Sequence, residues 1–457
     1  MMEVALQISV IAVLGHQEPL IESATASLSR RRPTIPFEST RTPRGFTLDP
    51  RIPAIPLGSA TVAGMTTESL QPDRSENFAV RGLIEADDPR DIPPEVEGQA
   101  IFADPVISPF ITCGGDPAVG NAQIVAQQLR VPDLANAGLD GLDVAIAIMD
   151  TGINLNHLQT RLGVMPRFDA ANSWKAPGST TTPGQHPVNH GTMCAYDALI
   201  AAPNATLLDF PILNNTAPGG STMAGTLSVA LLAFAQLLSS WAVSFAPGGL
   251  HRYKALVVNN SWGIFHPSWD FPAGHPGRYC DNPNHPFNII VGTLARTNVD
   301  IAFAAGNCGA QCASMRCAGR VTETIMGANA HADVLTLAGC DTTDQRVGYS
   351  SQGPSIVGMF PEKPDLITYT HFSGSEAFGP GSPDSGTSAA CPVAAGCIAA
   401  LRTKLPSNTL PTANLFSQLI ATARKPAGQA AWNGDYGNGF LDPVSAGQSL
   451  GIIGAHV

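Results

Sequence analysis

Ser388 lies in the run Asp384-Ser385-Gly386-Thr387-Ser388-Ala389-Ala390-Cys391-Pro392-Val393-Ala394-Ala395-Gly396. A serine hydroxyl is a weak nucleophile at its own pKa, so a reactive one needs a base and a site for the developing oxyanion. The small residues around Ser388 let backbone approach closely. The alanine-rich run after it reads as a buried helix, whose first turn offers N–H groups and the positive dipole end. Read alone, the same segment is equally a buried helix with Thr387 or Ser388 as its cap. Two other segments bear on the choice. Val144–Met149 is a near-continuous apolar run ending in Asp150-Thr151-Gly152. Such a run reads as a strand buried on both faces, with a carboxylate at its C-terminal end, where open α/β sheets place ligands. Asn189-His190-Gly191-Thr192 puts a histidine at the start of another helix. Asp150, His190 and Ser388 therefore follow in the chain order Asp, His, Ser, one of the three known orders of this catalytic set.

The elements that must position these groups alternate between strand and helix. Val144–Met149, Thr206–Phe210, Leu256–Asn260, Val299–Ala305 and Val334–Ala338 read as buried strands. Gly191–Ile200, Thr222–Val243, Asn288–Asn298 and Ser388–Arg402 read as helices. The pattern predicts an α/β fold, a parallel sheet with helices on both faces.

On these motifs the chain resembles the subtilisin-like (S8) serine peptidases. Asp150-Thr151-Gly152, His190-Gly191-Thr192 and Gly386-Thr387-Ser388-Ala389 look like the family's three catalytic motifs. Ala304-Ala305-Gly306-Asn307 resembles the segment carrying its oxyanion asparagine, which maps to Asn307. Asn260-Ser261-Trp262-Gly263 resembles the strand lining its substrate cleft, which makes Ser261, Trp262 and Gly263 candidate substrate-binding residues. Tyr349-Ser350-Ser351-Gln352-Gly353-Pro354, Lys363-Pro364-Asp365-Leu366 and Asn438-Gly439-Phe440-Leu441-Asp442 match further family segments. The likeness runs from about Asp116 to the C-terminus. It implies a serine endopeptidase acting on a peptide or protein substrate through an acyl-enzyme, with no cofactor in the chemistry. Two other readings stand beside it: a dedicated processing protease for one partner protein, and a non-catalytic peptide-binding protein on a peptidase fold.

The resemblance divides the chain into residues 1–115 and a catalytic domain, 116–457. Family members commonly carry an N-terminal propeptide of small α+β fold that inhibits the site. By that expectation the strand around Ala100 to Pro109 presents the chain end to the cleft, with cleavage near Phe110 to Asn121. A permanently attached N-terminal domain is the alternative. Within it Val4–Leu14 reads as a strand, since Glu3 stands where a signal peptide needs positive charge. A Pro-, Arg- and Ser-rich stretch, about 30–75, reads as linker. Phe78–Ala86 and Gln99–Ile107 read as strands.

The 457 residues are 44% apolar and 13% charged, which is globular, and the formal charge of −11 disfavours nucleic acid and anionic membrane as partners. The longest apolar stretch, Met223–Ala246, is interrupted by Gln236, Ser239 and Ser240, so no membrane span is expected. Without a clear signal peptide a cytoplasmic location is favoured, with secretion as the alternative. The chain after the histidine helix leaves no room for the family's main calcium loop, so that site is not carried over. Trp262 stands where the family has a smaller residue; it either stacks on substrate or packs into the core. The enlarged Ile264–Asn288 segment, with His266, His275 and His285, reads as a surface loop near the cleft. Of nine cysteines, Cys194, Cys340, Cys391 and Cys397 read as buried thiols. Cys308, Cys312 and Cys317 crowd one loop, where a local disulfide, a zinc clip and free thiols all remain open, with Cys280 a possible neighbour.

Overall fold

A computed structural model of the chain describes residues 6–29, 33–58, 69–109, 117–214, 223–243 and 248–454. Its centre is a six-stranded sheet in the order Leu366–Tyr369, Leu335–Cys340, Asp300–Ala304, Ala255–Asn260, Val144–Asp150, Thr206–Pro211. Every neighbouring pair is parallel. The strand Val144–Asp150 shows why its sequence is apolar throughout. All seven residues are buried. Alternate side chains point to opposite faces, so Val144, Ile146 and Ile148 join one core while Ala145, Ala147 and Met149 join the other. The first core is closed by the helices His190–Leu199 and Thr387–Arg402, the second by Leu227–Leu238 and Pro286–Arg296. The predicted α/β fold is thus observed, and its two carriers of candidate chemistry, the histidine and serine helices, pack on one face.

The expected helix Thr222–Val243 is regular only over Leu227–Leu238 and continues as one wider turn, Ser239–Val243. Among the described residues no helix is long and apolar enough to cross a membrane.

The N-terminal residues form an antiparallel sheet in the order Phe46–Leu48, Asn77–Ala86, Leu6–Gly15, Gln99–Ala103, Glu95–Val96, with Ile55–Gly58 also pairing Asn77–Ala86. The helix Glu18–Ser29 buries Leu20 and Ala24 against it. This is the smaller α+β unit expected. The stretch read as linker is corrected: Ile52, Ala54, Ile55 and Leu57 are buried, and two of its segments are strands. Their apolar residues outweigh the prolines around them, which sit on short strands where a missing N–H is tolerated. The predicted strand Gln99–Ile107 divides into Gln99–Ala103 and Val106–Pro109. Pro105, which lacks an N–H, lies at the break. The second piece leaves the N-terminal sheet and pairs with Gly225–Thr226 on one side and Trp262–Gly263 on the other.

Candidate active site

Asp150 ends its strand fully buried, and its Oδ1 accepts the N–H of Thr151 at 2.7 Å. His190 is the first residue of its helix, capped by Asn189, whose Oδ1 accepts the His190 N–H at 2.9 Å. Gly191 follows because no side chain fits: a Cβ there would lie 2.6 Å from the carbonyl oxygen of Gly152. The close approach sets the imidazole against the carboxylate, Nδ1 lying 2.8 Å from Oδ1 and 2.9 Å from Oδ2 of Asp150. That bond places the ring proton on Nδ1 and leaves Nε2 as the basic nitrogen. Nε2 is buried with no hydrogen-bond partner among the described residues.

Ser388 is buried in the first turn of the helix Thr387–Arg402, after Gly386 at φ +82°. Its hydroxyl donates to the carbonyl of Ser261 at 3.0 Å. Pro392 lies four residues on and has no N–H to give the Ser388 carbonyl. Two side chains take its place: Ser261 Oγ donates to that carbonyl at 2.9 Å and Cys194 Sγ lies 3.6 Å away. Asn307 is fixed from the same helix start, its Oδ1 accepting the N–H and the hydroxyl of Thr387 at 2.9 and 3.0 Å. This aims the amide nitrogen Nδ2 away from Thr387, buried and unpartnered among the described residues. A buried N–H left open is costly and marks a place where an acceptor belongs.

Asp150, His190, Asn307, Ser261 and Ser388 therefore come together around the C-terminal ends of the central strands. Trp262 does not present its ring to this space. The indole is fully buried against Phe287 and Phe303, so of its two readings the core one is found; only its backbone faces the cleft, opposite Pro109. Cys194 is the neighbour sequence reasoning passed over. It is buried one helical turn after His190, with Sγ 3.7 Å from His190 Nδ1 and 3.6 Å from Asp150 Oδ2. Burial and the Asp150 charge raise its thiol well above the usual range, so it sits there as a neutral thiol. The i, i+4 spacing His190-x-x-x-Cys194 was the available signal.

The enlarged Ile264–Asn288 segment is corrected. It does not simply decorate the cleft but seats the N-terminal unit. His285 is fully buried, its Nε2 3.0 Å from the carbonyl of Ala103 and its ring edge-on to Phe102. His275 Nε2 lies 3.0 Å from the carbonyl of Ile92. Cys280 is a free, buried thiol, and the crowded loop is braced by a Cys308–Cys317 disulfide. From that loop Arg316 stacks over Phe265 and donates to the carbonyl of Pro109 at 3.1 Å. The remainder of the expected cleavage interval up to residue 116 lies outside the described residues.

Comparison with known proteins agrees with this architecture. The chain is 27% identical over 301 residues to a calcium-dependent protease of Nostoc sp. (strain PCC 7120 / SAG 25.82 / UTEX 2576), covering 59% of this chain and 40% of that protein. It is 28% identical over 340 residues to the human (Homo sapiens) membrane-bound transcription factor site-1 protease, 71% of this chain and 27% of that one. With the rat (Rattus norvegicus) proprotein convertase subtilisin/kexin type 4 it shares 27% over 345 residues, 70% of this chain and 45% of that one. The chain thus spans less than half the length of these relatives. The family model described as the subtilase family, Peptidase S8, matches residues 141–439, the stretch that holds Asp150, His190, Asn307 and Ser388, and the chain belongs to that family.

Proposed function

We propose that this chain is a serine endopeptidase whose own N-terminal unit occupies the substrate cleft. The observation that carries the reading is His190. Its Nδ1 is engaged by Asp150 while the buried Nε2 has no partner among the described residues, on the face shared with Ser388. Turning the Ser388 hydroxyl about χ1, away from the Ser261 carbonyl, offers its proton to Nε2. His190 then acts as general base, and Asp150 orients and stabilises the imidazolium. Ser388 Oγ attacks the scissile carbonyl. The oxyanion is received by Asn307 Nδ2 and the backbone N–H of Ser388. His190 returns the proton to the leaving amine, and water, deprotonated by the same nitrogen, hydrolyses the acyl-enzyme.

The substrate would lie as Val106–Pro109 lies, an extended strand between Gly225–Thr226 and Trp262–Gly263, with Ile107 fully buried. Strand addition of this kind recognises backbone first and alternate side chains second. Ser261, Trp262 and Gly263 act through their main chain. The scheme draws on no cofactor. Calcium takes six to eight oxygen ligands. The group of metal-ligating type and spacing among the described residues is Asp150, His190 and Cys194, whose nitrogen and sulfur donors do not fit it.

The test is hydrolysis of an unfolded protein substrate by wild type and by Ser388→Ala. Cleavage lost in the variant supports the reading. Cleavage equal in both, or absent from wild type after removal of the N-terminal residues, rules it out.

A further inference from the structure

The histidine helix carries a second buried acid that the scheme does not use. Asp197 lies two turns beyond His190, fully buried, and neither carboxyl oxygen has a hydrogen-bond partner of the N–H or hydroxyl kind among the described residues. Its neighbour is another buried acid. Asp384, 1% exposed, lies in the strand Pro383–Asp384, four residues before Ser388. Asp384 accepts the N–H of Ser375 at 2.6 Å and the Ser375 hydroxyl, and the remaining interaction runs carboxyl to carboxyl, as a hydrogen bond between the Asp197 and Asp384 side chains.

We propose that Asp197 and Asp384 share a single proton across the seam between the histidine helix and the serine loop, and that this proton positions His190 relative to Ser388. Two carboxylates in contact in the interior cannot both ionise cheaply. The proton belongs on Asp197, which has no other donor, and its O–H donates to the Asp384 carboxylate, already served by Ser375. The electrostatics agree. Burial and the Asp384 charge push Asp197 well above the ordinary carboxyl range. Burial lifts Asp384 to about 6, while the Ser375 and Asp197 hydrogen bonds pull it back down. The other groups facing the pair leave this balance in place. Tyr196 is itself raised by burial and by both carboxyls. Arg161 donates to the Gly374 carbonyl at 2.8 Å and pairs with Glu376 at 2.7 Å. The Nε2 of His157 lies 2.7 Å from the Ser375 carbonyl, and Cys194, a neutral thiol, feels the Asp197 charge.

Loss of the proton to solvent base leaves two carboxylates repelling across the seam, and Ser388 loses its alignment. Both acids have folded pKa values above 3.8, so the stability they contribute is complete below that value and is lost as pH rises through about 6 and beyond. The effect on Ser388 rests on the catalytic reading; the shared proton does not. The full chain is examined as wild type, Asp197→Asn and Asp197→Ala. The asparagine amide donates to Asp384 as the neutral acid does, and alanine cannot. The expected results are an infrared carboxylic-acid band at neutral pH in wild type that Asp197→Asn removes, and an unfolding midpoint that falls with rising pH less in Asp197→Asn. The rate of Ser388 labelling by a phosphonate should fall about tenfold on the alkaline side in wild type and less than about twofold in Asp197→Asn. Asp197→Ala should be slow at every pH. No acid band, or the same alkaline fall in wild type and Asp197→Asn, overturns the proposal. If nothing labels Ser388 at any pH, the peptidase reading fails, and the band and the midpoint still decide the shared proton.

Discussion

Asp104 of the N-terminal unit accepts the backbone N–H of Ser228 at 2.8 Å, capping the helix Leu227–Leu238 from outside its own unit. The same carboxylate accepts the Ser228 and Ser9 hydroxyls and Arg81. One buried acid thus ties the cap of a catalytic-unit helix to the N-terminal sheet. Loss of a cap costs about 1 kcal/mol, and stranding a partly buried arginine adds to it. Asp104→Ala should therefore loosen the N-terminal unit by about 2 kcal/mol. Limited proteolysis by an added protease should remove residues before 110 at least tenfold faster than in wild type. Equal rates would remove the clamp from the account.

His285 makes docking pH-dependent. Burial holds its imidazole down at about 4 despite the Ala103 hydrogen bond. Its other nitrogen accepts the Phe287 N–H at 3.2 Å, so the docked ring is neutral. A histidine with a depressed folded pKa contributes stability that is present above its unfolded value of 6.5 and lost as pH falls through about 4. Amide exchange of Gln99–Ala103, corrected for intrinsic rate, should quicken about tenfold between those limits. His285→Gln should flatten that response. Persistence of the full response in the variant would assign it to other groups.

Arg316 grips the carbonyl of Pro109 from a loop closed by the Cys308–Cys317 disulfide. Burial lowers its guanidinium to about 10, still charged at neutral pH. If peptide substrates lie as Pro109 does, Arg316→Ala should raise KM roughly fivefold to tenfold, about 1 kcal/mol, with little change in kcat. A fall in kcat alone would move Arg316 from binding to the chemical step.

Asn307→Ala should lower kcat about 100–1,000-fold and leave KM within about threefold, because the open Nδ2 meets charge that develops only in the transition state. An unchanged kcat would remove Asn307 from the oxyanion site.

The catalytic constellation was legible because its residues are anchored by local chemistry: strand ends, helix starts and the glycines beside them. The core strands were legible because burial on both faces forces an unbroken apolar run. Leu366–Tyr369 was matched as a motif but not read as a strand, because four residues, one of them Thr368, carry little pattern. Phe46–Leu48 and Ile55–Gly58 were hidden by surrounding prolines. Asp104, Arg316 and the Asp197–Asp384 pair were out of reach for another reason. Each acts on a partner far away in sequence, and only the fold brings the two together.

The central claim is that Ser388 is an activated nucleophile, and intact-mass analysis after treatment with a serine-directed phosphonate tests it most directly. Once the N-terminal unit is removed, wild type should gain one adduct, located by peptide mapping to the Thr387–Arg402 helix, and Ser388→Ala should gain none. An unlabelled wild type, or an adduct that persists in Ser388→Ala, would contradict the account.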